Sequence, residues 1–307
     1  MIQSSQIMIE VKELSKMTLN IASPIDIDSL SQFLEVMNNN PKTHIGYCGE
    51  SKSEIYHTLL NDFSDLDLSE SFAVAYDNDE IIGALGFDID VETKSVEVWG
   101  PFIKDEGKFE SLANDLWEKM NLITPLDIQS YSFFVNNENM LTRQFVQNLG
   151  GMENDHHLIL KTHRNNTTSV ESYGIIKYES SYHESFVTLH GTAFPHTYYR
   201  ADEILQRINK ENQLLIMKDT DEKMKGYVYV EADPENVEGA IEYIAVSSDY
   251  RKQGIGTKLM RVALDHLFSY DEITEVTLCV ALVNEKAVHL YKSAGFHVKH
   301  ELISFKM

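Results

Sequence analysis

Between residues 184 and 296 the apolar positions fall into a regular series of runs. ESFVTLHGTAFPHTYYRADEILQRIN (184–209) predicts two short helices on either side of a break at Phe194-Pro195. QLLIMK and KGYVYVEA, rich in branched and aromatic residues, predict strands. AIEYIAV is nearly continuous in apolar residues, as in a strand covered on both faces. Leu259, Val262, Ala263 and Leu267 then recur at helical spacing from Thr257 to Phe268, and EVTLCVAL (275–282) predicts a second buried strand. A strand, a helix and a strand of these lengths form a right-handed crossover, so the two strands are expected to be parallel. The other strands, joined by short turns, are expected to be antiparallel, giving a mixed α/β sheet.

The first half repeats this order. YDNDEIIGALGFDID (76–90) and KDTDEKMKGYVYVEAD (218–233) share Asp-x-Asp-Glu in a turn and an early glycine in the next strand, Gly83 and Gly226. Each is followed by another strand pattern, a helix, a strand and a glycine-terminated helix. In this register Asn139 stands opposite Asn284 and Gly150 opposite Gly295. A period of half the chain implies two homologous domains, expected at 1–165 and 166–307, with the join in the polar stretch KTHRNNTTSVES (161–172).

Composition narrows the function. The 307 residues are 43% hydrophobic and 24% charged, as in a globular chain, and long enough for two domains. The net charge of −22, from 26 basic and 48 acidic residues, argues against nucleic acid as a partner. It serves solubility first and attraction of cations such as amines second. No apolar run approaches the ~20 residues of a membrane span. The acid-containing N-terminus is not expected to be a signal peptide. Cys48 and Cys279 show no metal or redox spacing, so a cytoplasmic location is expected and Cys279 reads as a core thiol. HESFV (183–187) lacks the second histidine of a zinc helix, and His156-His157 has no partners at ligand spacing, so no metal is expected.

The chemistry concentrates in YRKQGIGTKLM (250–260). Gly254 and Gly256 let backbone N–H groups converge on an anion at a helix terminus, with the helix expected to open at Thr257 and Thr257 able to cap it. Arg251 and Lys252 add positive charge. A P-loop would need Lys directly after the last glycine, where Thr257 stands. A dinucleotide loop would need a third glycine where Leu259 stands. What remains is Arg-x-x-Gly-x-Gly after a buried strand, with NEKAVHLYKSAGF (284–296) downstream. These four connected elements resemble the acyl-CoA-binding core of the GNAT superfamily of N-acetyltransferases.

The resemblance implies acetyl-CoA as acyl donor, held in a splayed parallel strand pair. It places the pyrophosphate on the backbone amides of Gln253, Gly254, Ile255, Gly256 and Thr257, with the cofactor also bordered by Arg251 and Lys252. It places the pantetheine on the backbone of Ile244, Ala245 and Val246. Asn284 matches a cofactor-contacting position, and Tyr291 matches the tyrosine that protonates the departing thiolate. For the base it points to Glu242, with Glu238 as a shifted candidate; Glu242 either takes the ammonium proton or only satisfies a polar neighbour. A glutamate found in the second strand of some relatives is replaced by Cys279. Acyl transfer to an amine needs such a base, an oxyanion donor and an acid, and direct transfer in a ternary complex needs no covalent nucleophile.

The first half resembles the same family with its chemistry lost. KDEGKFES (104–111) replaces the glycine loop, Phe109 stands for the second glycine, and Val146 stands opposite Tyr291. The acceptor is expected to be a small-molecule or peptide amine, and the protein a monomer or homodimer. His196, Tyr198 and Tyr199, between the two helices of the second half, either line the acceptor pocket or pack on the other domain. A non-catalytic acyl-CoA sensor is the alternative to the enzyme.

Overall fold

The computed structural model describes residues 19–166, 174–195, 197–235 and 237–307. His196 and the second half of the expected join at 161–172 therefore lie outside the described residues. The chain divides into two compact units, one of residues 1–133, 139–150 and 307, the other of residues 134–138 and 151–306.

In the first unit the elements run β1 (Leu19–Ala22), α1 (Ile27–Asn38), α2 (Lys52–Asn61), α3 (Leu68–Ser71), β2 (Phe72–Asp77), β3 (Glu80–Asp90), β4 (Ser95–Ile103), α4 (Phe109–Ile123), β5 (Ser130–Asn136), which from Phe134 on is clustered with the second unit, and α5 (Met140–Asn148). The strands pair in chain order, antiparallel except β4 with β5, which are parallel from Ser95↔Ser130 to Glu97↔Ser132. Leu30, Leu34, Ile55, Phe72, Val74 and Phe102 form the centre of one core.

The second unit contains β6 (Met152–His163), β7 (Ile175–Lys177), α6 (His183–Ala193), α7 (Ala201–Arg207), β8 (Gln213–Lys218), β9 (Met224–Asp233), β10 (Glu238–Val246), α8 (Ile255–Leu267), β11 (Glu275–Ala281), α9 (Glu285–Ser293) and β12 (His297–Lys306). Its strand order is β12-β6-β11-β10-β9-β8-β7, with β10 and β11 parallel and the remaining pairs antiparallel. This is the expected mixed α/β sheet flanked by helices. The expected boundary at 165 does not match the packing: β6 lies between β11 and β12 and is clustered with the second unit. Ladder hydrogen bonds along its length, from Glu275↔His163 to Ala281↔His157 on one side, outweigh its position in the chain.

The two faces of this sheet carry separate cores. Val228, Val230, Ile241, Leu278 and Val280 pack with Leu259, Ala263 and Leu267 of α8. Tyr227, Tyr229, Tyr243 and Ala245 pack with Phe186 of α6 and Ala201 and Ile204 of α7. The internal repeat is visible at matched positions. Asn139 and Asn284 each cap the following helix, accepting from Thr142 N at 3.2 Å and Ala287 N at 3.3 Å. Gly150 and Gly295 each end that helix at positive φ, 95° and 100°, a conformation that favours glycine.

Candidate active site

The register between β10 and β11 is confined to Ala240↔Thr277, near the start of β10. Beyond it the two strands part toward their C-terminal ends. Along this stretch β10 remains bonded on its other edge to β9, with Ile244↔Val228, Ala245↔Tyr227 and Val246↔Gly226. A strand bonded on one edge offers the alternate N–H and C=O groups of its open edge. Ile244, Ala245 and Val246 thus border the gap.

The loop after β10 turns tightly, Tyr250 N donating to Ser247 O at 3.0 Å. Arg251 folds back, its Nε donating to Val246 O at 3.2 Å, so it braces the loop to the strand end. Lys252 and Gly254 both have positive φ, 62° and 73°. Helix α8 opens at Ile255 with Gly254 as its cap, two residues before the expected start. Thr257 is therefore inside the first turn and supplies no cap. The first helical bond, Lys258 N to Gly254 O at 3.1 Å, leaves the N–H groups of Ile255, Gly256 and Thr257 without an intrahelical acceptor. Gln253 and Gly254 are exposed, whereas the Ile255 side chain is buried in the core. Ile255 can offer a ligand its amide only. A Cβ at Gly254 would meet open space, but one at Gly256 would stand 3.3 Å from Leu290 Cδ2 on α9.

Gly256 is thus where α9 comes close to α8, and α9 carries the expected acid. Ala287, Val288 and Tyr291 of α9 pack against the α8-side core, and the Tyr291 ring meets Phe296 edge-on at 6.0 Å. Burial pushes the Tyr291 phenol up to about 12, so it keeps its proton at neutral pH. Asn284 is exposed, and its side-chain oxygen is engaged as helix cap. Its amide NH₂ is the end that can meet a ligand.

The opposite face holds the candidate base. The β10/β9 register shifts between Ile241 and Tyr243, which places Glu242 in a β-bulge. Ile241 lies on the α8 side, Tyr243 and Ala245 on the α6 side, and Ile244 and Val246 on the α8 side. Simple alternation would put Glu242 on the face of Ile244 and Val246, but the bulge breaks it: Glu242 senses the charges of Glu231 and Arg207, and so belongs with Tyr243. Its side chain reaches solvent, yet atoms crowd it enough that burial is the main influence raising its carboxyl above the usual range. Glu231 raises it further, and Arg207 works against both. Glu238, at the strand start opposite Asp233, is about 13 Å away along the strand and is not brought to the same place.

Beside Glu242, Arg207 grips Glu231 through Nε–Oε1 at 2.7 Å and Nη2–Oε2 at 2.9 Å, and Tyr229 donates to Glu231 Oε1 at 2.5 Å. Burial works against the Glu231 carboxylate, but these hydrogen bonds hold it below its usual range. The Arg207 guanidinium lies 4.3 Å from the Tyr199 ring centroid. Tyr199 thus packs within its own unit, and Tyr198 beside it is 86% exposed. Cys279 is exposed, not a core thiol. The apolar run 275–282 hides an alternation in which Val276, Leu278 and Val280 face α8 and Cys279 faces the other way.

In the first unit the corresponding loop is closed on itself. Asp105 Oδ1 accepts from Gly107 N at 2.9 Å, placing a carboxylate where an anion would need amides. Phe109 and Val146 are buried in the core. The register that aligns Asn139 with Asn284 also aligns Glu97 with Glu242, and Glu97 faces Asp88 directly across β3 and β4.

Residues 180–296 match the model of the acetyltransferase (GNAT) family. This part of the chain is similar to that family. It is similar to spermidine N(1)-acetyltransferase of Escherichia coli (strain K12), 35% identical over 60 residues, 20% of this chain and 32% of that protein. It is also similar to mycothiol acetyltransferase of Corynebacterium diphtheriae, 30% identical over 100 residues, 31% of this chain and 33% of that protein. The matches thus span about a third of the length of these relatives. The fold is similar over most of the chain to a GCN5-related N-acetyltransferase of Sphaerobacter thermophilus, with TM-score 0.71, 15% identity and 94% and 95% of the two chains covered. A tandem GNAT protein from the clavulanic acid biosynthesis pathway gives TM-score 0.62, 14% identity and 94% and 98% coverage. No described helix is long and apolar enough to cross a membrane.

Proposed function

We propose that the protein is an N-acetyltransferase that moves an acetyl group from acetyl-CoA to a primary amine, using the second unit alone for the donor. The observation that carries this reading is the helix start at Gly254. There the N–H groups of Ile255, Gly256 and Thr257 lie free at the end of the gap between β10 and β11. A diphosphate fits this terminus, because it takes hydrogen bonds from those amides and the positive end of the helix. Lys252 and Gln253 border it, the open edge of Ile244 to Val246 suits the amides of a pantetheine arm, and Asn284 offers its NH₂. Acetyl-CoA, when bound, supplies the activated thioester.

Glu242 takes a proton from the acceptor ammonium, making the nitrogen lone pair available for the carbonyl carbon. The new C–N bond forms as the C–S bond breaks, Tyr291 gives its proton to the sulfur, and the second proton of the acylated nitrogen leaves through solvent, which restores the phenol. A raised carboxyl suits Glu242 to take a proton near neutral pH, and a raised phenol keeps Tyr291 in its donating form. In the first unit, Asp105 on its own loop amide and the buried Phe109 support a copy that binds no donor.

The test is thiol release from acetyl-CoA across amines of several classes, including spermidine, an amino sugar and a peptide N-terminus, alongside calorimetric titration with CoA. Turnover of at least one amine and one CoA site per chain are expected. Binding without thiol release on any amine would identify a sensor, and two equivalent sites would restore the first unit as a donor site.

A further inference from the structure

The mechanism above leaves the buried histidine of α6 unused. His190 on α6 is 2% exposed and enclosed by the rings of Phe186, Phe194, Tyr227 and Tyr243. Its two nitrogens have distinct partners. Nε2 lies 2.9 Å from the backbone oxygen of Tyr199, an acceptor only, so Nε2 carries the proton and donates. Nδ1 is then the acceptor, and the Tyr227 hydroxyl donates to it at 2.5 Å. From the other side Tyr199 N donates to the Tyr243 hydroxyl at 3.0 Å, and Thr197 Oγ1 donates to the same oxygen at 2.7 Å. The backbone of Tyr199 is thus held at both its polar groups, by a histidine from α6 and a tyrosine from β10. Tyr243 is the residue after Glu242, so this attachment fixes the segment between α6 and α7 beside the candidate base.

We propose that His190 is a positioning residue for the acceptor: braced by Tyr227, it docks the backbone of Tyr199 against Tyr243 and so fixes the wall of the acceptor site next to Glu242. The role rests on the acetyltransferase reading, and it concerns the acceptor alone. The donor elements, at Gly254 to Thr257 and on α9, lie on the opposite side of the sheet from α6 and share no partner with His190. A phenol or imidazole so enclosed would otherwise be an inert core group. What sets His190 apart is that the acceptor of its proton is the carbonyl of a loop residue, so the imidazole ties that segment to α6. Tyr198, 86% exposed on the docked segment, is the side chain this arrangement presents to an acceptor.

The test uses the full chain and the variants His190→Phe, which keeps a ring but removes both hydrogen bonds, and Tyr227→Phe, which leaves His190 in place without its brace. Amide hydrogen exchange is read over residues 194–205 and, as an internal control, over 254–267. Both variants are expected to exchange faster in the first segment, with the second unchanged. With the most active amine of the panel as probe, the acceptor KM is expected to rise about tenfold in His190→Phe, less in Tyr227→Phe, with the KM for acetyl-CoA unchanged. Unchanged exchange at 194–205 would overturn the docking. Faster exchange with an unchanged acceptor KM, or a parallel loss for both substrates, would overturn the positioning role. If the parent turns over no amine, the acetyltransferase reading fails and the acceptor role with it, while exchange still decides whether His190 docks the segment. Should His190→Phe fail to fold, Tyr243→Phe removes the other anchor and is expected to give the same exchange and KM pattern.

Discussion

Gly256 on α8 and Leu290 on α9 meet so closely that a single added carbon on the glycine would stand 3.3 Å from the leucine. Leu290 precedes Tyr291, so the loop that suits the donor and the helix that carries the proposed acid approach each other at this contact. Gly256→Ala is expected to move α9 and lower kcat more than it weakens CoA binding. Gly254→Ala meets no atom but must hold φ at 73°, which costs roughly 1–2 kcal/mol for a residue with a Cβ. Its expected effect is weaker CoA binding. Titration calorimetry on both variants, with kcat for each, separates the two outcomes.

For the base, Glu242→Gln is expected to lower kcat/KM by about 10²–10⁴ and to remove the acid limb of the pH–rate profile. Below its raised pKa the Glu242 carboxyl is protonated and cannot accept the ammonium proton, so the parent loses rate on the acid side. Arg207→Ala removes the cation that opposes this rise and leaves the Glu231 charge uncompensated. Its acid limb should therefore move to higher pH. A limb that stays in place in both variants would rule out Glu242 as the titrating group.

Tyr291→Phe keeps the ring against Phe296 and removes only the hydroxyl. The expected fall in kcat is on the order of 10²–10⁴, with CoA affinity little changed. Because the phenol is pushed up to about 12, no loss of activity from its ionisation is expected up to pH 10. A variant with parental kcat but a lower melting temperature would make Tyr291 a packing residue.

Asp88 gives a stability prediction for the first unit. Its carboxyl is pushed from 3.8 up to about 7, by burial first, then by Glu97 and Asp65. The folded state thus holds this proton more tightly than the unfolded chain. Its stabilising contribution is complete below about pH 4 and is lost as pH rises through about 7. Asp88→Asn is expected to flatten the melting temperature of the first unit across that window and to raise it at pH 8. Thermal melts of parent and variant at pH 4, 6 and 8 provide the check.

Much of the second unit could be read from residue periodicity, because its strands and helices are long and their apolar spacing distinct. The Phe194-Pro195 break and the crossover through α8 appeared where the pattern placed them, and the aligned Asn139 and Asn284 share a role as helix caps that their alignment alone did not name. Three features did not. The bulge at Glu242 is a property of pairing with β9, and a single strand carries no mark of it. The helix start at Ile255 depends on Gly254 adopting a left-handed conformation, whereas Thr257 looked like the better cap by residue type. β6 and β12 are polar along much of their length, and their pairing joins residues far apart in sequence, for which local periodicity has no signal. The alignment of Glu97 with Glu242 was already contained in the repeat register and only needed to be extended backwards from Asn139.

The placement of β6 bears on how the gene can be cut. A clone beginning at residue 166, where the repeat suggests a boundary, would lack the strand that separates β11 from β12. Two long strand edges would then be left raw, each able to pair with a neighbouring molecule. The expected boundary thus cuts through the packing: residues 152–163, which precede it, supply a strand that lies inside the second unit's sheet. Any working fragment of the second half has to start upstream of Met152, inside what the sequence repeat marks as the first.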